Sequence, residues 1–167
     1  RDISFELEQR LREPRSFIQI VLGPRQTGKT TAIRQALRET GLPAHVFSAD
    51  APLAISPEQL EVEWMQARAL AQQGPAVLFI DEIQKASGWS ETVKRLWDED
   101  SWDELDLKVV LSGSSSLLLS AGVSESLMGR HEIIRSTHWD LSEMSRAFGY
   151  ALDDYLMFGG YPGAARL

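Results

Sequence analysis

Residues Gly23 to Thr30 read Gly-Pro-Arg-Gln-Thr-Gly-Lys-Thr, a spacing that suits a loop wrapped around a polyphosphate. Such a loop must bring backbone N–H groups close to an anion, and glycine permits that approach. A helix starting directly afterwards adds unpaired N–H groups and the positive end of its dipole. Lys29 then supplies charge for the β- and γ-phosphates, and Thr30 supplies a hydroxyl ligand for Mg²⁺. The candidate nucleotide-binding residues are Gly23, Pro24, Arg25, Gln26, Thr27, Gly28, Lys29, Thr30 and Thr31. A plain Gly-Lys turn capping a helix is the competing reading. The apolar run Phe17 to Leu22 before the loop and the helical pattern Thr31 to Thr40 after it favour the phosphate loop.

Three further segments complete a candidate site. Asp81 and Glu82 follow the apolar run Ala76 to Ile80. Asp81 suits the metal, as the carboxylate at the tip of a buried strand. Glu82 suits a general base or an orienter of the attacking water, and strand alternation should turn it away from Asp81. A solvated strand end is the bland alternative. Leu111-Ser-Gly-Ser-Ser-Ser-Leu117 offers a polar side chain at another strand tip. Ser114 is the first choice for contacting the γ-phosphate or the water, and Ser112 the second. A serine-rich turn capping the next helix explains the same residues. Arg130 is the candidate for neutralising transition-state charge, acting within its own chain or on a neighbour. The alternative is a structural arginine opening a strand.

The elements that must position these groups alternate. A short amphipathic helix over residues 3–12 ends at Pro14. Strands are expected at Phe17–Leu22, His45–Ser48, Ala76–Ile80, Lys108–Leu111 and Glu132–Ser136. Helices are expected from Thr31 to Thr40, from Pro57 to about Gln73 and from Ser90 to about Trp102. A short helix is expected around Leu117–Leu119, with further helices at Leu141–Phe148 and Leu152–Phe158. The third and fourth strands are nearly continuous apolar runs, as in a parallel sheet covered on both faces. The class is therefore α/β. The expected organisation is a helix and linker over 1–14, a core over 15–140, and C-terminal helices over 141–167 leading towards a second domain that the sequence does not include. Arg at position 1 and the run Gly-Gly-Tyr-Pro-Gly-Ala-Ala-Arg-Leu at the end suggest a piece of a longer protein.

Composition narrows the class. The 167 residues include no cysteine, so disulfides and thiolate metal sites are excluded. The three histidines have no zinc-like spacing. No apolar run reaches the length of a membrane helix and no secretory signal opens the chain, so a cytoplasmic protein is expected. The net charge of −7 argues against a surface that grips nucleic acid throughout. Residues 1–40 nevertheless carry a balance of +3, around the phosphate loop. The acidic excess peaks at 98–106, with six acids in nine residues, read as a solvated helix end and loop. The five tryptophans are expected to pack the core and the helices rather than to stack bases. Asp50 is ambiguous and is explained equally by a local cap.

The phosphate loop, Leu-Phe-Ile-Asp-Glu-Ile-Gln-Lys (78–85), Leu-Ser-Gly-Ser-Ser-Ser-Leu (111–117), Glu-Ser-Leu-Met-Gly-Arg (125–130) and Phe-Gly-Gly-Tyr-Pro (158–162) occur here in one order. In this the chain resembles the prokaryotic AAA-type ATPases, and more distantly the archaeal and origin-recognition-like ATPases. Met128 departs from the small residue usual there. The resemblance implies a three-layer P-loop fold with parallel strand order 5-1-4-3-2. It implies ATP rather than GTP, with Mg²⁺ as cofactor. It places Lys29 on phosphate, Thr30 and Asp81 on metal, and Glu82 as the catalytic carboxylate. It also implies a further C-terminal domain. Hydrolysis driving a conformational switch in that domain or in a partner is the leading function. A nucleic-acid-associated ATPase and a small-molecule kinase are the alternatives. A homo-oligomer stays open with the placement of Arg130.

Overall fold

The computed structural model describes residues 2–114 and 126–163. The chain begins with α1 (Asp2–Arg12), then runs β1 (Ile18–Leu22), α2 (Lys29–Thr40), β2 (Ala44–Ser48), α3 (Pro57–Ala71) and β3 (Ala76–Asp81). A 3₁₀ turn at Ile83–Lys85 leads to α4 (Trp89–Trp102), β4 (Leu107–Gly113), β5 (His131–Arg135), α5 (Leu141–Phe148) and α6 (Leu152–Phe158). The five strands form one parallel sheet in the order β2-β3-β4-β1-β5. This is the expected 5-1-4-3-2 order read from the other edge.

Side-chain alternation along the strands divides the core in two. Ile18, Ile20, Leu22, Leu78, Ile80, Val109 and Leu111 face α3 and α4, meeting Leu60, Trp64, Val93, Leu96 and Trp97. Val21, Val77, Phe79, Val110 and Ile134 face α1 and α2, meeting Leu7, Leu11, Ile33 and Ala36. Each fully buried Leu, Ile or Phe of this kind contributes about 1.5–3 kcal/mol. The sheet is thus sandwiched between two helix layers, as expected.

Local signals set the element ends. Gly41 closes α2 in the left-handed region at φ 69°. Ser56 and Gln59 form a reciprocal capping box at the start of α3, with Pro57 as its first residue. Strand β4 runs two residues past the expected Leu111, because Ser112 and Gly113 pair in register with Val21 and Leu22 of β1. Neighbouring-strand hydrogen bonds there override the polar composition. The short helix expected near Leu117–Leu119 lies outside the described residues.

Two expectations about side chains need correction. The acidic stretch is not simply solvated. Asp100 is 1% exposed, accepts from Trp64 Nε1 at 2.8 Å and pairs with Arg68 at 2.6 Å. Glu99 also pairs with Arg68, and Asp98 holds Arg130. The tryptophans divide. Trp64, Trp89 and Trp97 are core residues, whereas Trp102 is 89% exposed. The basic excess of residues 1–40 is largely committed to internal contacts. Arg10 pairs with Glu6 and Glu132, and Arg12 with Glu8. Arg15 lies 3.4 Å from the centroid of the Trp97 ring and donates to the Leu107 and Trp97 carbonyls.

Candidate functional site

The phosphate loop leaves β1 where β5 also ends, and that crowding explains its first glycine. A Cβ on Gly23 would fall 2.1 Å from the Ser136 carbonyl oxygen. Ser136 N donates to Leu22 O at 2.6 Å, so the two chains cannot separate. Gly28 caps α2 at φ 81°, a conformation that side chains resist. Gln26 occupies the left-handed region without that freedom, at φ 62°. Thr27 is fully buried; its hydroxyl lies 3.0 Å from Pro24 O and 3.2 Å from Ser136 Oγ. Its side chain therefore braces the loop and faces away from the cleft.

Lys29 opens α2 and is 5% exposed. Its ammonium donates to Gly23 O at 3.0 Å and Pro24 O at 2.7 Å. Burial pulls its pKa below the ordinary lysine value, Glu82 and Asp81 pull it back up, and Arg25 lowers it further. Thr30, one residue on, donates its hydroxyl to Asp81 Oδ2 at 2.8 Å. The two residues read from the sequence as metal ligands, one in the first turn of α2 and one at the tip of β3, are thus brought together. Its donors are a hydroxyl and a carboxylate, hard oxygens suited to Mg²⁺ completed by phosphate and water. Among the described residues no cluster of three or more His, Cys, Asp or Glu forms a separate metal site.

Asp81 and Glu82 diverge for a reason other than strand alternation. Strand β3 stops at Asp81, and Glu82 adopts φ 53°, ψ 44°. A left-handed glutamate costs free energy and persists only where its neighbours hold it. Ser112 Oγ accepts from Glu82 N at 3.3 Å and donates to Asp81 Oδ1. Gln84 Nε2 donates to Glu82 Oε2. Ser112, the second choice from the sequence, is therefore the serine on both carboxylate residues. Ser114 lies beyond the end of β4, half-buried, and is not among the residues lining the cleft.

A cleft of about 320 Å³ joins these groups, lined by Arg25, Gln26, Gly28, Lys29, Thr30, Thr31 and Glu82, with Asp50 and Lys85 opposite. Hollows of about 430 and 510 Å³ lie elsewhere, beside Arg34 and Gly41 and beside Pro14 and Thr40. Neither touches the phosphate loop, so the chemistry selects the smaller cleft. Sequence reasoning missed Lys85, which forms an ion pair with Asp50 across the cleft. Only its place three residues after Glu82, on a turn following a strand, could have suggested it.

Arg130 does not join this cluster. Ile18 N donates to Arg130 O at 2.8 Å, which puts the arginine where β1 and β5 begin. The phosphate loop leaves the other end of β1, about 13 Å away at 3.3 Å per residue. Asp98 Oδ1 and Oδ2 accept from Arg130 Nε and Nη2 at 2.7 and 2.9 Å, a bidentate pair. This placement sets Arg130 at the opposite end of β1 from its own chain's cleft.

Among known proteins, the chain is similar to the uncharacterized protein MJ1544 of Methanocaldococcus jannaschii. The two are 25% identical over 87% of this chain and 35% of that protein. The chain thus spans about a third of that relative's length. Its fold is similar to that of a RuvB variant from Thermotoga maritima. That similarity has a TM-score of 0.58 and 20% identity, over 87% of this chain and 45% of the other. Residues 15–145 match the family described as AAA domain, and with the parallel sheet and phosphate loop above, the chain belongs to that family as an AAA-type P-loop ATPase domain.

Proposed function

We propose that this domain binds ATP with Mg²⁺ at the Lys29–Thr30–Asp81 cluster and hydrolyses it. The observation that carries the reading is the 2.8 Å hydrogen bond from Thr30 to Asp81. It brings together a phosphate-loop hydroxyl and a strand-tip carboxylate, the oxygen donors that would hold Mg²⁺ at the phosphates. Mg²⁺ held there would neutralise charge on the β- and γ-phosphates. The loop N–H groups from Gly23 to Thr31 cradle the phosphates, and Lys29 leaves its own loop carbonyls to meet them. Glu82 accepts the proton of the attacking water as the new bond to phosphorus forms and the bond to the ADP oxygen breaks. Ser112, rather than Ser114, registers the change, because it holds both Asp81 and Glu82.

The energy released serves, in this proposal, to change the arrangement of the helices after residue 140, a further domain or a partner. Soluble cytoplasmic operation fits this reading, and among the described residues no helix is long and apolar enough to cross a membrane. The alternatives gain no specific observation. Arg10, Arg12 and Arg15 are held by internal partners, so these three contribute little to any nucleic-acid surface.

Glu82→Gln tests the assignment. Binding of an ATP analogue with Mg²⁺ should persist, while phosphate release should fall about 10²–10⁴-fold. Undiminished release from that variant would overturn the role of Glu82, and absence of analogue binding to the native chain would overturn the whole reading.

A further inference from the structure

Trp139 was grouped by its sequence context with the packing tryptophans, yet its side chain is tied to the phosphate loop. Its indole Nε1 donates to Thr27 O at 2.9 Å. The ring lies beside Gly28, where an added Cβ would sit 3.8 Å from Cζ2. The same residue is bound from its other side by the C-terminal helices. Its backbone N donates to Gly160 O at 3.1 Å, and its carbonyl accepts from Tyr155 Oη at 2.9 Å. Gly160 is glycine of necessity, since a Cβ there would fall 2.0 Å from Trp139 O. The ring also packs on Phe148 of α5, with centroids 5.7 Å apart.

We infer that Trp139 is a positioning residue that couples the order of the phosphate loop to the α5–α6 pair. Thr27 and Gly28 are the loop residues just before Lys29, so any shift that accommodates a polyphosphate must move the atom that the indole holds. The carbonyl of Thr27 cannot change direction without breaking the bond or carrying Trp139 with it. Trp139 in turn cannot move without disturbing Gly160, Tyr155 and Phe148. The link has polar contacts both at the loop and on the helical side, so it transmits displacement in both directions. Its use in a nucleotide cycle rests on the proposed ATP binding; the mechanical link does not.

The test is amide hydrogen exchange on the protein without ligand. Trp139→Phe keeps an aromatic ring beside Phe148 and removes the N–H donor. Tyr155→Phe removes the hydroxyl that holds Trp139 from α6 and touches no loop residue. Loss of one such bond should raise exchange at 23–30 about five-fold in either variant. Loop exchange at the native rate in both would overturn the inference. A second comparison adds an ATP analogue with Mg²⁺. Exchange over 141–158 should slow in the native protein and respond less in Trp139→Phe; an equal response in the two would also overturn it. Failure of the native protein to bind the analogue would sink the nucleotide reading alone, because the first comparison needs no ligand.

Discussion

Thr30 and Asp81 meet at 2.8 Å although β1, which leads into the phosphate loop, and β3, which ends in Asp81, are not neighbours. Strand β4 lies between β3 and β1 in the sheet. Asp81 therefore reaches the phosphate loop across the tip of β4. The side chain at that tip is Ser112, which donates to the other carboxylate oxygen of Asp81. Both carboxylate oxygens of Asp81 are thus fixed by hydroxyls, one from Thr30 on α2 and one from Ser112 on β4. The orientation of Asp81 is set before any ligand arrives, which lowers the reorganisation needed on binding.

Ser112 should consequently matter to turnover more than Ser114. Ser112→Ala removes a donor to Asp81 and the acceptor for Glu82 N. Loss of a hydrogen bond to a charged group is expected to slow ATP hydrolysis about 10–100-fold. Analogue affinity should change far less. Ser114→Ala should hydrolyse ATP near the native rate. Steady-state phosphate release from the two variants decides between them, and a larger loss in Ser114→Ala would reverse the assignment.

Much of this site is written in local sequence, and the reason is physical. The phosphate loop needs glycines at fixed places between a strand and a helix, so Gly23 to Thr30 is legible without coordinates. Asp81 is legible because a buried apolar run ends in an acid. The choice between Ser112 and Ser114 depends on how far β4 extends, which is set by hydrogen bonds to β1 and by nothing within the serine run. Arg130 looks functional by residue type alone. Its distance from the cleft follows from parallel register, which places the start of β5 beside the start of β1. Trp139 and Asp100 were illegible for a related reason. Each is defined by partners more than thirty residues away in sequence, Thr27 for one and Trp64 for the other.

Lys29 should make nucleotide binding pH-dependent on the alkaline side. In the free protein its pKa lies below the ordinary value of 10.5, chiefly through burial. A bound polyphosphate brings negative charge to the ammonium and raises that pKa. Protonated Lys29 is thus favoured in the complex, and affinity falls as pH rises through the lowered free-protein value. Binding should take up protons increasingly as the solution moves from neutral to alkaline. Calorimetric titration with an ATP analogue in buffers of different ionisation enthalpy measures the uptake. Lys29→Ala should abolish the pH-dependent part, and proton release in the native protein would contradict the sign.

Asp100 should contribute to stability without touching catalysis. Burial raises its pKa, against the lowering effects of Trp64 and Arg68. A carboxyl raised in the folded state binds its proton more readily there than in the unfolded chain. Its ionised form is therefore the less stabilised one, and stability through this group rises as pH falls towards 3.8, the ordinary value. Its partners still need an acceptor. Asp100→Ala strands Trp64 Nε1 and removes one of the partners of Arg68, at a cost of about 3 kcal/mol. Asp100→Asn keeps an oxygen for Trp64, and Arg68 keeps Glu99, so about half that loss is expected. Denaturant unfolding of the two variants gives the comparison, with analogue affinity near native in both. An asparagine variant less stable than the alanine variant would refute the account.

Arg130 offers a test of assembly. It lies at the end of β1 opposite the cleft and its guanidinium is held by Asp98, a placement that suits a nucleotide bound to a second copy of the chain better than its own. On that reading, ATP turnover per molecule should climb steeply with protein concentration. Arg130→Ala should lower it about 10³-fold or more, as loss of a transition-state arginine does, and leave analogue binding intact. Mixing then isolates the contribution in trans. Arg130→Ala retains Glu82 in its own cleft, and Glu82→Gln retains the arginine. Each variant alone should be nearly inactive, whereas the mixture should recover activity where a Glu82→Gln chain presents Arg130 to the cleft of an Arg130→Ala chain. Turnover per molecule that stays flat with concentration, together with no recovery on mixing, would reduce Arg130 to a structural residue that ties β5 to α4 through Asp98.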